Sequence, residues 1–329
     1  MTSLSETTAA PATPPPADTP RARRKRRSNL RHRLEHALLR AALKIVELLP
    51  AGAAAGFGRG AARLYFRLSR SRARILRENL ALAFPEKSAA EIRRLARDCA
   101  GNLGAAFMEF LASSQLTRED VLSRVSLAGE ENFAAARARG KGVFLLSAHF
   151  GSWELGAIRA GLIADPISSV VRPLDNPLLE RELAHRRTRL GNRVIAKKDA
   201  AREILRAIRK KETVAILVDQ NVLPREAVFV PFFGRPAATT PSLALLQLKT
   251  GAAVVPVFTW PEADGRYRLD FETPILPEEF GGTAVDREER VRRATARYMA
   301  VTEAAVRKDP AAWLWVHNRW KTRPVPAPQ

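Results

Sequence analysis

The sequence predicts an α/β fold, in which a mainly parallel, mixed sheet is flanked by helices and preceded by an N-terminal helical region. Three observations predict it. From about residue 125, short apolar runs alternate with amphipathic stretches, as in chains whose helices connect neighbouring parallel strands. The run at 143–146 is wholly apolar, which is typical of a strand buried on both faces. Residues 30–120 instead carry only the three- and four-residue spacing of helices.

The first part of the chain divides into a tail and a helical region. We expect residues 1–33 to form a disordered basic tail, because 7–20 is rich in Pro, Ala and Thr and 21–27 is almost wholly basic. Helical spacing begins at Leu34, and we interpret residues 34–120 as a membrane-associated region. Charges interrupt its apolar runs, so attachment at the membrane surface is favoured over spanning. The tail also suits a solvated or nucleic-acid-binding arm, and the helices also suit a subdomain packed on the core.

The remaining residues, 121–329, are expected to form the α/β domain. The strands expected there are 125–127, 143–147, 167–171, 193–196, 214–218, 252–259 and 267–271. The helices expected there are 130–139, one from 153 onward, 178–190, 200–211 and 287–308. The helices expected before it are 34–49, 53–68, 72–84 and one opened by a capping box at 88–91, followed by an apolar segment at 105–111.

Composition narrows the function classes. The formal charge of the 329 residues is +21, which favours polyanionic partners such as anionic membrane lipid or an acidic carrier protein. The basic residues are spread along the whole chain and no zinc-finger or RNA-binding signature is present, so no nucleic-acid partner is expected. Five histidines and one cysteine show no paired ligand spacing, so no metal is expected. No nucleotide-binding loop is present. No nucleophile elbow is present either, so if the protein transfers a group between two substrates, direct transfer is favoured over a covalent enzyme intermediate.

The candidate catalytic group is His149, which follows the apolar strand 143–147 at its carboxyl end, where open α/β sheets place ligands. Glu154 lies five residues later, in the first turn of the next helix. From there we expect its carboxylate to hold one ring nitrogen of His149, which makes the other nitrogen a general base. The alternative interpretation is a capped helix start with an incidental histidine.

Several segments together resemble the lipid A biosynthesis acyltransferases. The resemblance runs from about residue 40 to the end of the chain, and five motifs in the same order carry it. The motifs are His-Phe-Gly-Ser-Trp-Glu at 149–154, Arg-Pro-Leu-Asp-Asn-Pro at 172–177, Asp-Gln at 219–220, Pro-Phe-Phe-Gly-Arg-Pro-Ala-Ala-Thr at 231–239 and Trp-Leu-Trp-Val-His-Asn-Arg-Trp-Lys at 313–321.

The resemblance implies a glycerolipid acyltransferase-like fold and a specific reaction. In that family a fatty acyl chain moves from acyl-acyl carrier protein to a hydroxyl of a lipid A precursor, at the cytoplasmic face of the inner membrane. It implies His149 and Glu154 as the catalytic pair, with no cofactor beyond the donor substrate. The expected partners are therefore acyl carrier protein, the lipid A precursor and anionic membrane lipid.

Four further residues are expected to bind substrate. Arg172 and Arg189 suit phosphate groups, and Asp219 with Gln220 follows the strand 214–218 at the same edge of the sheet. Arg172 also suits a structural pair with a neighbouring carboxylate, and Asp219 also suits a loop cap.

Other aromatic and basic segments admit two interpretations each. Residues 229–233 suit either a wall for an acyl chain or plain core. Trp313, Trp315 and Trp320 have cationic neighbours and suit a membrane-facing edge. His317 is a rival base, but no acidic residue lies near it in the sequence. Two functional alternatives also stay open: acylation of another membrane glycolipid or aminolipid, or a basic membrane-surface binding protein that is not an enzyme.

Overall fold

The computed structural model describes residues 20–49, 51–164, 166–197, 200–262, 265–282 and 285–324. The first helix begins at Pro20 rather than at the expected Leu34. Residues 1–19 lie outside the described residues, so that part of the expected tail stays a prediction. Four helices open the described chain: α1 (Pro20–Leu48), α2 (Ala51–Leu68), α3 (Arg70–Ala83) and α4 (Ala89–Ala112).

Strands and helices alternate after α4. The strands are β1 (Val125–Ala128), β2 (Val143–Ser147), β3 (Ile167–Val171), β4 (Arg193–Ala196), β5 (Thr213–Leu217), β6 (Val228–Phe232), β7 (Arg235–Thr239), β8 (Ala253–Pro261) and β9 (Tyr267–Phe271). The helices are α5 (Arg118–Arg124), α6 (Glu130–Ala138), α7 (Trp153–Ala164), α8 (Pro177–Thr188), α9 (Ala200–Arg209), α10 (Ser242–Thr250) and α11 (Arg287–Lys308).

The main sheet confirms the predicted fold class. Its seven strands lie in the order β1-β9-β8-β2-β5-β3-β4. Every neighbouring pair is parallel except β8 and β9, which are antiparallel. The apolar strand β2 occupies the middle position, with its first four residues almost completely buried. That position explains why the strand has no polar face, because the sheet is covered on both sides.

The start of helix α4 agrees with the sequence-based prediction, but its end does not. The capping box at its start is confirmed: the Glu91 backbone N–H donates to Ser88 Oγ, and the Ser88 backbone N–H donates to the Glu91 carboxylate. The helix then continues to Ala112 and includes the apolar segment 105–111, which was expected to follow it. Gly104 does not interrupt it but contacts Gly58 of α2, where an added Cβ would meet the other helix's carbonyl oxygen. Close helix packing, not a helix boundary, is the reason for the glycine.

Strands β6 and β7 form a separate antiparallel hairpin that the sequence analysis did not identify. Its turn places Phe233 and Gly234 at positive φ, 52° and 68°, as a two-residue hairpin turn requires. Phe232 and Phe233 are buried within the main hydrophobic core. The interpretation of this segment as core is therefore confirmed, because its largest side chains pack against other aromatic rings.

The C-terminal tryptophans are also core residues. Trp313, Trp315 and Trp320 are 3%, 0% and 9% exposed, so the prediction of a membrane-facing tryptophan edge is wrong. The rings pack against one another and against Phe232 and Phe233, and this aromatic cluster outweighs the charged neighbours in sequence. Among the described helices, none is both long enough and apolar enough to cross a bilayer.

Candidate active site

The loop after β2 carries His149 to the carboxyl edge of the sheet. Gly151 in this loop has a φ of +57°, and an added Cβ would lie 1.8 Å from the Thr259 carbonyl oxygen. The C-terminal segment runs beside the loop: the Leu314 N–H donates to the His149 carbonyl (3.0 Å), and the Gly151 N–H donates to the Ala312 carbonyl (2.9 Å). These contacts fix the backbone at the histidine carbonyl and in the loop that follows it.

The side chain of His149 is held by Asp219, which follows β5 on the adjacent strand. His149 Nδ1 lies 2.9 Å from Asp219 Oδ1, and the His149 backbone N–H donates to Oδ2, also at 2.9 Å. The indole N–H of Trp313 donates to the same Oδ2 at 2.8 Å. Because an ionised carboxylate only accepts hydrogen bonds, the ring proton sits on Nδ1, and Nε2 carries a lone pair.

Burial and charge shift the pKa values of His149 and Asp219 in opposite directions. Burial by itself lowers the pKa of His149, but the charge and hydrogen bond of Asp219 and the charge of Glu154 outweigh it and raise the pKa above its ordinary value. Burial by itself raises the pKa of Asp219, but the charge and hydrogen bonds of His149, with the Trp313 indole, lower it to about 2. Asp219 is only 2% exposed, so these contacts are what keep its charge stable inside the protein.

Glu154 does not hold the imidazole, which corrects the sequence-based expectation. Its carboxylate forms a two-point ion pair with Arg187 of α8: Nη2 to Oε1 at 2.6 Å and Nε to Oε2 at 3.0 Å. Glu154 sits at the start of α7, next to α8, whereas Asp219 reaches His149 from the neighbouring strand. Glu154 still lines the same cavity as His149 and acts on it through its charge.

The other expected substrate-binding residues separate into two groups. Gln220 is exposed, and its amide nitrogen lies 3.3 Å from His149 Nε2, the position a substrate hydroxyl would take. Arg172 is exposed and lines the cavity. Arg189 does not line it, and its guanidinium instead donates to the carbonyls of Ser113 and Leu116. The expectation for Arg189 is therefore wrong, because its side chain faces the end of the helical region.

A cavity of about 1800 Å³ opens at His149. Its apolar lining comes from both faces of the sheet: residues 145, 215 and 217 with α7 on one face, and 170, 216 and 218 with α9 on the other. Besides Arg187, which is paired with Glu154, six further basic side chains from six separate segments line it: Arg72, Arg172, Lys197, Lys249, Arg287 and Lys321. The cavity therefore combines apolar walls, basic side chains and one imidazole whose Nε2 carries a lone pair.

His317, the rival base, lines the cavity as well. Its Nε2 accepts a hydrogen bond from the backbone N–H of Asn221 at 2.8 Å. That nitrogen is therefore not available to remove a proton from substrate. Burial, the largest cause, lowers the pKa of His317 below its ordinary value.

Helix α1 carries a row of exposed leucines and contacts the start of α8. Leu30, Leu34 and Leu38 recur every fourth residue and are 69%, 60% and 63% exposed. Asn176, at the start of α8, donates to the His32 carbonyl (3.0 Å) and to the Glu35 carboxylate (2.9 Å). These contacts place α1 beside the start of α8, four residues after Arg172.

Within the ranges that the structure describes, no three His, Cys, Asp or Glu side chains are grouped so that they could hold a metal ion. Two groups at the site were missed by sequence reasoning. Arg187 lies in the helix expected at 178–190, two positions before Arg189, which was expected to bind phosphate. Trp313 belongs to a recognised motif, but its role as a donor to Asp219 has no sequence signal because it depends on tertiary contact.

Comparison with known proteins gives consistent matches over most of the chain. A family model described as bacterial lipid A biosynthesis acyltransferase matches residues 23–322. The lipid A biosynthesis lauroyltransferase of Escherichia coli (strain K12) is 31% identical over 288 residues, covering 87% of this chain and 91% of that protein. The lipid A biosynthesis palmitoleoyltransferase of the same strain is 32% identical over 253 residues, covering 76% and 79%. A lipid A biosynthesis acyltransferase of Haemophilus influenzae (strain ATCC 51907 / DSM 11121 / KW20 / Rd) is 30% identical over 281 residues, covering 82% and 84%.

Proposed function

Because this chain belongs to the bacterial lipid A biosynthesis acyltransferase family and is an acyltransferase, we propose that it transfers a fatty acyl chain from acyl-acyl carrier protein to a hydroxyl of a lipid A precursor. The family that these motifs indicated is therefore confirmed. The observation that carries the proposed mechanism is the His149–Asp219 bond, which leaves the other ring nitrogen unprotonated at the cavity.

In the proposed reaction His149 acts as general base. Nε2 takes the proton of the acceptor hydroxyl as the hydroxyl oxygen attacks the thioester carbonyl and the new C–O bond forms. The C–S bond then breaks, and the imidazolium returns the proton to the departing carrier thiolate. Asp219 balances the positive charge that forms on the ring, and Trp313 keeps the carboxylate in place. Gln220, which contacts Nε2, moves aside for the acceptor hydroxyl or hydrogen-bonds to it.

The negative charge that develops on the carbonyl oxygen also needs donors. The first-turn N–H groups of a helix lack partners within the helix, and α7 begins four residues after His149. We assign these N–H groups a share in oxyanion stabilisation. The Gly151 N–H is excluded from this role, because it donates to the Ala312 carbonyl.

The charges around the cavity fit the proposed substrates. Basic side chains at its lining, Arg172, Lys197 and Lys321 among them, suit the phosphates of the acceptor and the acidic surface and phosphopantetheine of the carrier. Among the carboxylates of the lining, Glu154 is paired with Arg187, and Glu180 accepts from the Leu174 backbone N–H. The apolar walls on both faces of the sheet suit acyl chains.

The membrane side is assigned to helix α1. Leu30, Leu34 and Leu38 form one exposed stripe, with the exposed basic residues Arg33 and Arg40 beside it. A basic helix with an exposed apolar stripe binds at the surface of anionic bilayers. Since α1 contacts the start of α8, this orientation brings the cavity close to the lipid surface at the cytoplasmic face of the inner membrane.

The function is tested with purified protein, acyl-acyl carrier protein and a lipid A precursor. His149→Ala is expected to reduce transfer about 10²- to 10⁴-fold, the usual contribution of a positioned general base. His185→Ala is the matched control, because His185 is exposed on α8 and does not line the cavity. Full transfer by His149→Ala, or wild-type protein that acylates only another glycolipid or aminolipid, would contradict the proposal.

The membrane assignment is tested separately by co-sedimentation with vesicles that contain anionic phospholipid. Replacement of Leu30, Leu34 and Leu38 by Ser is expected to weaken binding while transfer to detergent-dispersed acceptor is retained. Leu122→Ser, on the 42% exposed leucine of α5, is the control. Unchanged vesicle binding by the triple variant would show that the leucines of α1 do not bind the membrane.

A further inference from the structure

The second histidine of the cavity is held in one tautomer by the backbone. The Asn221 N–H can only donate a hydrogen bond, so His317 Nε2, at 2.8 Å, receives it through a lone pair. The single proton of the neutral ring is then on Nδ1. No described residue accepts a hydrogen bond from Nδ1, and the ring is partly exposed at the cavity lining.

Burial together with nearby positive charge favours the neutral form of His317. Burial has the largest effect and lowers its pKa, and Arg319, His149 and Lys321 lower it further, while Asp219 opposes them. The imidazolium form would also place a proton on Nε2 against the Asn221 N–H. His317 therefore presents a fixed N–H donor rather than a titrating base.

The ring that carries this donor lies near the proposed general base. Gln220 contacts Nε2 of His149 with its side chain, and the next residue, Asn221, holds His317 with its backbone. The two imidazoles thus flank the same pair of consecutive residues, and the charges of both His149 and Asp219 act on His317. A neutral N–H at this place suits an oxygen that carries or develops negative charge.

The segments on both sides of the donor are tightly held. Asn79, which is 2% exposed, donates to the carbonyls of Trp315 and His317, both at 2.7 Å. The Asn221 side chain donates to Thr322 Oγ1 at 2.9 Å, and the Thr322 N–H donates back to it at 3.1 Å. Donors that are fixed before the reaction stabilise charge without reorganisation, which is the condition for a large catalytic effect.

We propose that His317 is a further catalytic residue whose Nδ1–H donates a hydrogen bond to a substrate oxygen, foremost the thioester carbonyl oxygen as it becomes an oxyanion. The inference rests on the proposed acyl transfer. His317 transfers no proton in this role: His149 takes the hydroxyl proton, and His317 only donates its hydrogen bond to the carbonyl oxygen during attack.

Two substitutions separate the donor from the structural contact. In His317→Gln the side-chain oxygen can take the place of Nε2 and accept from the Asn221 N–H, but the Nδ1 donor is lost. In His317→Asn the side-chain nitrogen can take the place of Nδ1 and keep a donor, but the contact with Asn221 is lost. A structural role predicts that Asn is the more damaging change, and a donor role predicts that Gln is.

The experiment measures kcat, KM for the lipid acceptor, the pH profile and the thermal unfolding midpoint of both variants beside His149→Ala and His185→Ala. His317→Gln is expected to unfold near the wild-type temperature and to lose about 10²-fold in kcat, the usual cost of one oxyanion donor. His317→Asn is expected to lose less kcat despite lower stability. A rise in KM with unchanged kcat in His317→Gln also supports the donor and assigns it to a phosphate oxygen of the acceptor.

Wild-type kcat and KM in His317→Gln, or a greater loss of kcat in His317→Asn, would overturn the inference. So would the loss of the acid limb of the pH profile in either variant, because a neutral donor does not produce that limb. If His149→Ala is inactive while His317→Gln is fully active, only this inference fails. If His149→Ala is fully active, the proposed general-base mechanism fails.

Discussion

Two carboxylates act on His149 from opposite regions of the site, and they differ in how they do so. Asp219 follows the adjacent strand, is 2% exposed and makes hydrogen bonds to both the ring and the backbone of the histidine. Glu154 follows the histidine by five residues, retains 15% side-chain exposure and pairs with Arg187 instead. The residue that bonds to His149 is therefore not the carboxylate nearest in sequence. It is Asp219, because the two parallel strands that precede His149 and Asp219 end at the same edge of the sheet.

The difference assigns separate tasks to the two regions. Asp219 fixes the tautomer and orientation of the imidazole, whereas the Glu154–Arg187 pair contributes charge to the cavity and connects α7 to α8. Each carboxylate also raises the pKa of His149, and the effect of Asp219 is the larger of the two. Substitutions on the two sides should therefore give effects that differ in size and in kind.

The largest effect is expected from Asp219→Asn. Transfer should fall about 10²- to 10⁴-fold, because the amide no longer enforces the Nδ1–H tautomer or balances the imidazolium charge. Wild-type activity should fall as the pH decreases through a pKa above 6.5, the ordinary value, since only the neutral ring is a base. In the variant the acid limb of kcat/KM should move to lower pH. A limb that stays in place would show that the carboxylate does not raise the pKa of His149.

A smaller effect is expected from Glu154→Gln. The imidazole keeps its Asp219 contact, so we expect a loss of about tenfold, less than a full general-base contribution, and a smaller shift of the acid limb in the same direction. Together with Arg187→Gln and the double variant, Glu154→Gln forms a double-mutant cycle, in which the free energies of unfolding give the coupling between the two residues. Coupling of about 0.5–3 kcal/mol is expected between directly paired residues. A loss in Glu154→Gln as large as that of Asp219→Asn would contradict the separation of tasks.

The two arginines expected to bind phosphate should now behave differently. Arg172→Gln should raise KM for the lipid acceptor several-fold, to at most about tenfold, because a hydrogen bond to a charged group contributes about 1.5 kcal/mol or less when exposed. Arg189→Gln should leave KM unchanged and lower the unfolding free energy by about 1–3 kcal/mol, since the Ser113 and Leu116 carbonyls lose their donor. If Arg189→Gln instead raises KM and Arg172→Gln lowers only the unfolding free energy, Arg189 is the residue that binds the acceptor.

The smallest effect is a change in how stability depends on pH. The raised pKa of His149 contributes stability at low pH that is lost as the pH rises through that value. The lowered pKa of Asp219 contributes stability above about 3.9, its unfolded value, that is lost as the pH falls towards about 2. The destabilisation by Asp219→Asn in urea titrations should therefore be greatest between roughly pH 4 and 6.5. A difference that does not vary with pH would indicate that the pair is not ionised.

Sequence reasoning located the fold and the histidine because both depend on local pattern. The apolar run of β2 identifies a central strand, and the residue after its end is His149. Asp219 was predicted at the correct edge of the sheet. Its contact with His149 was not predicted, because it requires β5 to lie next to β2, and strand order cannot be inferred from the local sequence. The error at Arg189 has a geometric cause: it lies two residues from Arg187, about 200° around a helix, so the two side chains face different neighbours.

The most direct test of the central claim is nitrogen NMR of histidine rings in protein labelled only at its five histidines, with the His149 signals assigned through His149→Gln. The account predicts a protonated Nδ1 for His149 with a low-field hydrogen-bonded proton, lost in Asp219→Asn and retained in Glu154→Gln. Loss of that proton in Glu154→Gln and its retention in Asp219→Asn would contradict the account.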